Sequence, residues 1–400
     1  MLVEVHRRSR PRVAGVTRIP YANGLTEIVN ARNRKQEIEN QLRCSRLRRA
    51  PGVFEKLPLS LEDLAPVTLL VGTNNSGKTS VLEAAEILLG GGSPRALIRG
   101  AVRRHESVFS NSERVREIDL AHLFRGHGLE LGSRFRIEGE DGGAHFIDCE
   151  VVSGSDAVAE EPAQPELALS AELEEESPSL ALKVTSERSS TLLPLSPEGG
   201  VTDIVRRRLA GQEPAKTFSV AYVGPESDTD IVSLWDQVVL TPEEQKVVEA
   251  LRSIEPTVER IAAVRRTFRG GMVVKLAGSD LRIPIGSMGD GIRRLLALSI
   301  MLASHAGGYL LVDEIDTGLH HSVMSKMWRL IVESSRRLGI QIIASTHSAD
   351  CVQALAALYE ESNDLRDLIA LHRVERGQAA TIRYGAEELS AAAKQNMEVR

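Results

Sequence analysis

Cysteine is nearly missing from this chain. Cys44, Cys149 and Cys351 are the only three in 400 residues. Their spacing matches neither a metal-ligand set nor a redox pair, so ordinary thiols in a reducing compartment are expected. Long apolar runs are missing too. A membrane-spanning helix needs roughly 18 apolar residues, and the best stretch, Leu295 to Ala303, is too short and follows Arg293-Arg294. The first residues, Met1 to Arg8, hold no apolar segment of the kind a secretory signal carries. A cytoplasmic location without a membrane partner is therefore expected. The formal net charge of −6 gives no global attraction to nucleic acid, although it leaves room for a local basic patch. No repeat of solenoid length is visible, and no long heptad run, so a long coiled-coil arm is excluded.

Aromatic residues make up only 4% of the chain, but apolar residues reach 42%, enough for a core. The length allows two domains or one large α/β domain with an insertion.

What is present centres on residues 67 to 80, Val-Thr-Leu-Leu-Val-Gly-Thr-Asn-Asn-Ser-Gly-Lys-Thr-Ser. Val67 to Val71 reads as a buried strand. Gly72, Thr73, Asn74, Asn75, Ser76, Gly77, Lys78 and Thr79 fit G-x-x-x-x-G-K-[ST], and Ser80 follows. A helical pattern with Val81, Leu82, Ala85, Leu88 and Leu89 on one side stops at Gly90-Gly91-Gly92. Strand, glycine loop and helix form the context that gives this motif its meaning. Gly72 and Gly77 allow the loop to curl so that backbone N–H groups converge on phosphate oxygens. The helix that follows aims its positive end at the same point. Lys78 offers a point charge to the β- and γ-phosphates, and Thr79 a hydroxyl to Mg²⁺.

Residues 1 to 40 form a basic N-terminal extension, with Arg7, Arg8, Arg10, Arg12, Arg18, Arg32, Arg34 and Lys35 against four glutamates. A solvated extension is the preferred reading, and a nucleic-acid arm the alternative. From about residue 41 strands are expected, at Leu42–Leu47 and Phe54–Leu59. A helix is expected from Glu113 to Leu123, and antiparallel strands within 134–152 around Asp141-Gly142-Gly143. Residues 153–178 are rich in Ala, Glu, Pro and Ser, and read as a flexible acidic loop. Strand-like pieces return at Leu180–Thr185 and Phe218–Val223. Thr241, Pro242 and Glu243-Glu244 signal a helix start. A strand meander follows between Ile261 and Ile285.

Three further motifs complete the pattern. Ser287-Met288-Gly289-Asp290-Gly291 precedes a helix carrying Ile292, Leu295, Leu296, Leu298 and Ser299, and a Ser-Gly loop at a helix start seats anions. Tyr309 to Val312 is an apolar strand ending in Asp313 and Glu314. Asp313 is placed to hold Mg²⁺ and Glu314 to polarise an attacking water. A helix from about Ser322 to Leu338 should bury Val323, Met327, Leu330, Ile331 and Leu338, with Trp328 assigned to packing. Ile340 to Ser345 is another apolar strand, and His347 just beyond it stands where ligands bind in open α/β sheets. A final helix, Ala386 to Lys394, is expected.

This order of motifs resembles the ABC class of ATPases, and within it the RecF-like, SMC-like and OLD-like proteins called AAA family ATPases. The wording Glu314-Ile315-Asp316-Thr317-Gly318-Leu319-His320 and Ser345-Thr346-His347-Ser348 is closest to the OLD type, as is the middle region from Leu234-Trp235-Asp236 to Ile254-Glu255-Pro256. The resemblance covers residues 41–400. It implies an α/β P-loop NTPase fold: an ABC-type ATPase head with a mixed or antiparallel β lobe, and a large insertion at 95–280 between the phosphate loop and the signature. It implies that Gly72 to Ser80 are the Walker A loop, Asp313 and Glu314 the Walker B carboxylates, and His347 the switch histidine. Ser287, Gly289 and Gly291 would form the signature. The implied cofactors are ATP and Mg²⁺, with Thr79 and Asp313 on the metal and Lys78, Glu314 and His347 catalytic. The implied assembly is a head-to-tail homodimer with two ATPs sandwiched between phosphate loop and partner signature. DNA repair or anti-phage defence is the implied setting, with DNA and a separate nuclease or effector as partners.

The chain departs from that pattern in places. His320 stands where transporters carry an acidic D-loop residue, and Gln164, Gln212, Gln237 and Gln245 all lie in unsuitable contexts for a lobe-linking glutamine. OLD proteins carry a C-terminal Toprim nuclease; the sequence after His347 shows no such acidic cluster, so a nuclease is expected on another protein. Two other readings stay open: the nucleotide-binding subunit of an ABC transporter, and a scaffold that traps ATP without turnover. The insertion and the atypical signature weigh against the first, and Glu314 against the second. A GTPase ranks low because Asn-Lys-x-Asp is missing.

Overall fold

The computed structural model describes residues 44–49, 59–109, 116–124, 126–141, 144–154, 180–196, 198–211, 218–225, 231–265, 270–385, 387–389 and 391. In chain order these form β1 (Cys44–Arg49), β2 (Leu59–Glu62), β3 (Val67–Val71), α1 (Lys78–Leu89), α2 (Pro94–Arg103), β4 (Ser107–Phe109), β5 (Arg116–Asp119), β6 (Arg134–Asp141), β7 (Ala144–Ser153), β8 (Leu180–Ser186), β9 (Ser190–Leu195) and β10 (Gly200–Val201). Then come α3 (Asp203–Gly211), β11 (Val220–Val223), α4 (Ile231–Trp235), α5 (Pro242–Arg252), β12 (Val258–Arg265), β13 (Gly270–Leu276) and β14 (Arg282–Pro284). The chain continues through α6 (Asp290–Ser304), β15 (Tyr309–Val312), α7 (His321–Leu338), β16 (Gln341–Ser345), α8 (Ala349–Glu361), β17 (Ile369–Arg373) and β18 (Ile382–Tyr384).

The central sheet runs β11-β15-β16-β3-β17-β18. All its pairings are parallel except β17 with β18. A parallel sheet is covered on both faces, which explains why Val67–Val71, Tyr309–Val312 and Gln341–Ser345 are buried throughout. The pleat sends alternate residues to two cores. Leu69, Leu310 and Ile342 join a core with Leu295 and Leu298 of α6, Met327 and Ile331 of α7 and Leu355 of α8. Leu70, Leu311 and Ile343 join a second core with Val81, Leu82 and Ile87 of α1. Beyond α1 that core continues into Phe135, Ile137, Ile147 and Leu182 of a second, antiparallel sheet, β2-β1-β6-β7-β8-β9. Helix α1 is therefore sandwiched between two sheets, and the loop before it opens at their shared edge. The architecture is α/β with mixed sheets, as the sequence led us to expect.

Local signals explain most boundaries. Thr241 caps α5 by accepting from the Glu243 N–H, with Pro242 in the first turn. Gly339, at φ 62°, ends α7. Two expectations need correction. The region assigned to a helix from Glu113 to Leu123 instead holds β5 and a short 3₁₀ turn, Ala121–Leu123; residues 110–115 lie outside the described residues. β5 is claimed by antiparallel pairing with β4 and β10, so tertiary pairing overrides local helix propensity. The buried stripe of α7 includes Met324, Met327, Trp328, Ile331 and Val332, whereas Val323, Leu330 and Leu338 lie at its margin. Trp328 is fully buried and donates its indole N–H to the Cys351 carbonyl at 2.9 Å, in keeping with packing. The basic extension (1–40), most of the acidic loop (155–178) and most of the final helix lie outside the described residues. Among those described, no helix is long and apolar enough to cross a membrane.

Candidate active site

The phosphate loop joins β3 to α1, and its backbone is committed to a curled form. Gly72 has φ 148°, Asn75 61° and Gly77 102°. A Cβ on Gly72 would lie 2.4 Å from the Val374 carbonyl oxygen and 2.8 Å from Ser76 Oγ, so only glycine fits there. Lys78 Nζ folds back to donate to the carbonyls of Gly72 and Thr73, both at 2.8 Å. Burial draws the Lys78 pKa below its ordinary value, while Asp313 and Glu314 pull the other way. The first turn of α1 carries no acidic side chain to compete with an anion. Ser76 Oγ is buried without a hydrogen-bond partner among the described residues. An unsatisfied hydroxyl, a buried ammonium and a helix N-terminus converging on one loop suit a polyphosphate.

The carboxylates come from the strand next but one to β3. In the pleat, Tyr222 on β11, Asp313 beyond β15 and Ser345 on β16 share the parity of Val220, Leu311 and Ile343, all of which face α1. Their side chains meet there. Asp313 Oδ2 accepts from Thr79 Oγ1 at 2.9 Å and from the Tyr222 hydroxyl at 3.3 Å. Asp313 Oδ1 accepts from Ser345 Oγ at 2.5 Å. Thr79 and Asp313 thus lie side by side, two oxygen groups of the kind that could hold a Mg²⁺ whose shell is completed by phosphates and waters. Among the described residues, no group of three or more His, Cys, Asp or Glu could hold a metal ion.

Glu314 sits at φ 48°, a left-handed conformation uncommon for a non-glycine residue. Its N–H donates to Ser345 Oγ at 3.0 Å, and Thr317 Oγ1 donates to its Oε2 at 3.2 Å. His347 Nδ1 lies 3.8 Å from Glu314 Oε1, and both side chains are open to solvent, at 47% and 41% exposure. Arg294 of α6 donates to the carbonyls of Gly224 (2.6 Å), Asp313 (2.9 Å) and Glu314 (3.0 Å). It ties α6 to the ends of β11 and β15. Gly291 packs against the turn after Glu314, where an added Cβ would meet the Gly318 carbonyl at 3.2 Å. Ser287 and Gly289 are exposed.

A cavity of about 280 Å³ opens beside the loop. Phe135 and Ile137 line it from the antiparallel sheet, and His122, Glu106 and Arg104 form a polar wall. Burial and the nearby Arg104 lower the His122 pKa to about 4, against the pull of Glu106. Ser287, Gly289 and Gly291 do not line this cavity.

The structure thus brings Lys78, Thr79, Asp313, Glu314 and His347 to one edge of the central sheet. It leaves Ser287 and Gly289 facing outward. Tyr222, Arg294, Thr317 and Ser345 belong to the same constellation; the sequence motifs contain Thr317 and Ser345 without giving them a role, and contain neither Tyr222 nor Arg294. Only β11's parallel pairing with β15 brings Tyr222 into play.

Residues 67–350 match the model of the family described as "AAA domain, putative AbiEii toxin, Type IV TA system". The chain belongs to this family. This match and the phosphate-loop motif make it an AAA-type P-loop protein. It is 23% identical over 363 residues to an OLD nuclease of Thermus scotoductus, an alignment covering 81% of this chain and 61% of that protein. Among solved structures, this AAA-domain protein is similar to SMC heads. One is an SMC head bound to the C-terminal winged-helix domain of ScpA (15% identity, TM-score 0.46, 86% of this chain and 98% of the other). Another is the SMC head domain of Thermotoga maritima (15% identity, TM-score 0.40, 85% and 98%).

Proposed function

We propose that this AAA-domain protein binds ATP with Mg²⁺ on residues 72–80 and hydrolyses it with Glu314, in a homodimer whose partner copy supplies Ser287, Gly289 and Gly291. The observation that carries the reading is the Thr79–Asp313 hydrogen bond, which joins the phosphate loop to the strand-end carboxylates. Lys78, the loop N–H groups and the N-terminus of α1 neutralise the charge of the triphosphate. Thr79 and Asp313 would hold Mg²⁺, which would supply positive charge against the charge that develops on the phosphates. Glu314 accepts a hydrogen bond from water and orients it toward the γ-phosphate, with His347 beside it. The cavity at Phe135 and Ile137 gives room for the nucleoside end.

The dimer is supported by where the signature lies. Ser287 and Gly289 are exposed and do not line the cavity at their own chain's loop, so a second copy can present them to the γ-phosphate. Arg294 then carries closure to Asp313 and Glu314 through their carbonyls. The setting we favour is a DNA-linked process, either repair or defence, with an effector outside the matched region. Its support is the similarity of 81% of this chain to an OLD nuclease. The direct test is binding of a fluorescent ATP analogue to the wild type and to Lys78→Ala. Saturable, Mg²⁺-dependent binding lost in the variant is expected; equal binding by both would refute the assignment.

A further inference from the structure

We infer that Tyr222 is a positioning residue for Asp313, holding the metal-side carboxylate in plane through a strut that runs back to α1 by way of Arg103 and Glu86. This rests on the nucleotide and Mg²⁺ reading above and adds a residue that no motif of the sequence contains.

Three hydroxyls hold Asp313, and they are not equivalent. Thr79 is itself a candidate metal ligand, so its hydroxyl oxygen turns to the ion when one is present. Ser345 holds Oδ1. Among the described residues this leaves Tyr222 as the donor that fixes Oδ2 without also being a ligand. A carboxylate held at one oxygen can rotate about its bond to Cβ; held at both, it keeps its plane. Outer partners of this kind orient the ligands of metal sites.

The phenol is also held in place. The Arg103 guanidinium lies over the Tyr222 ring, 3.6 Å from its centre. Arg103 in turn makes a bidentate pair with Glu86, at 3.0 and 2.6 Å. The Glu86 side chain is only 4% exposed, and the fork geometry fixes the guanidinium plane as a point charge would not. The chain of contacts runs from α1 through α2 and β11 to the end of β15. It spans the two sides of the site: Glu86 stands on the helix that begins at the phosphate loop, and Asp313 on the strand opposite. A phenol is an O–H donor at physiological pH, so Tyr222 can hold the carboxylate throughout that range.

The test uses Mn²⁺ as the probe and the full-length protein saturated with a non-hydrolysable ATP analogue, with free Mn²⁺ read by electron paramagnetic resonance. Tyr222→Phe removes the hydroxyl and keeps the ring beneath Arg103. It is expected to weaken Mn²⁺ binding to the complex about tenfold, the lower end for an outer partner because Ser345 still holds one oxygen. Affinity for the analogue without metal, and thermal stability, should stay at wild-type values. Arg103→Met should shift Mn²⁺ affinity in the same direction, and the double variant should be no worse than Tyr222→Phe alone, because both act through one strut. Wild-type Mn²⁺ affinity in Tyr222→Phe would overturn the inference. So would a loss of metal-free nucleotide affinity and stability in step with the metal, which would make Tyr222 a packing residue. If the wild type binds the analogue but no Mn²⁺, the Thr79–Asp313 metal assignment falls as well. If it binds no analogue, the nucleotide reading itself falls. These last two failures are visible in the wild-type control, and the first two only in the variant.

Discussion

Thr79 donates its hydroxyl to Asp313 Oδ2 across 2.9 Å, although 234 positions separate the two residues in the chain. The contact exists because β3 and β15 are both neighbours of β16 in one parallel sheet, so their C-terminal ends lie on the same edge. Everything proposed for the site depends on that edge.

The loop's backbone should tolerate no side chain at its first glycine. Gly72→Ala places a Cβ 2.4 Å from the Val374 carbonyl at a φ of 148°. Strain of this kind costs on the order of 1–3 kcal/mol. Urea denaturation should show a loss in that range together with loss of nucleotide binding. Unchanged stability with full binding would mean that the loop does not need the curled form.

The signature assignment predicts a separation of binding from assembly. Ser287 is exposed and remote from its own chain's cavity, so Ser287→Arg should leave ATP binding by a single chain intact. It should abolish the ATP-dependent dimer seen by light scattering with Glu314→Gln as background. An unaffected dimer would remove Ser287 from the interface.

Much of this was legible in the sequence, and the limits are physical. The phosphate loop, the strands at Val67–Val71, Tyr309–Val312 and Gln341–Ser345, and the α/β class follow from local patterns: a glycine motif and apolar runs with defined ends. Tyr222, Ser345 and Arg294 were not legible as site residues: the first two owe their roles to strand order and pleat parity, and Arg294 to the packing of α6 against the ends of β11 and β15. The α7 stripe was misplaced by one residue because a wide apolar face allows Val323 or Met324 to point inward, and only packing decides. Residues 116–119 were misassigned because two short partner strands outweigh a modest helical tendency.

Acid should destabilise the fold through two buried histidines. His122 and His372 both have pKa values lowered to about 4, chiefly by burial, helped by Arg104 and Arg383 respectively. In the unfolded chain each takes up a proton near pH 6.5, and in the folded protein not until about pH 4. The unfolded state therefore binds more protons between those values, and stability falls as pH drops from about 6.5 toward 4. The slope reaches at most about 1.4 kcal/mol per pH unit for each histidine. His372→Gln, with denaturation curves at pH 7, 6 and 5, should show a shallower decline than the wild type; an equal slope would contradict a neutral buried His372.

On the function proposed above, Glu314 turns a nucleotide-binding edge into a hydrolytic one. The measurement that tests it most directly is steady-state ATP turnover by the pure protein, with and without double-stranded DNA, beside Glu314→Gln. If Glu314 orients the water, the variant should lose about 10²-fold or more in turnover while still binding ATP. DNA should raise the wild-type rate and leave the variant's unchanged. Wild-type turnover by Glu314→Gln would contradict the catalytic assignment, and a wild type that binds ATP without ever hydrolysing it would make the protein an ATP-trapping scaffold.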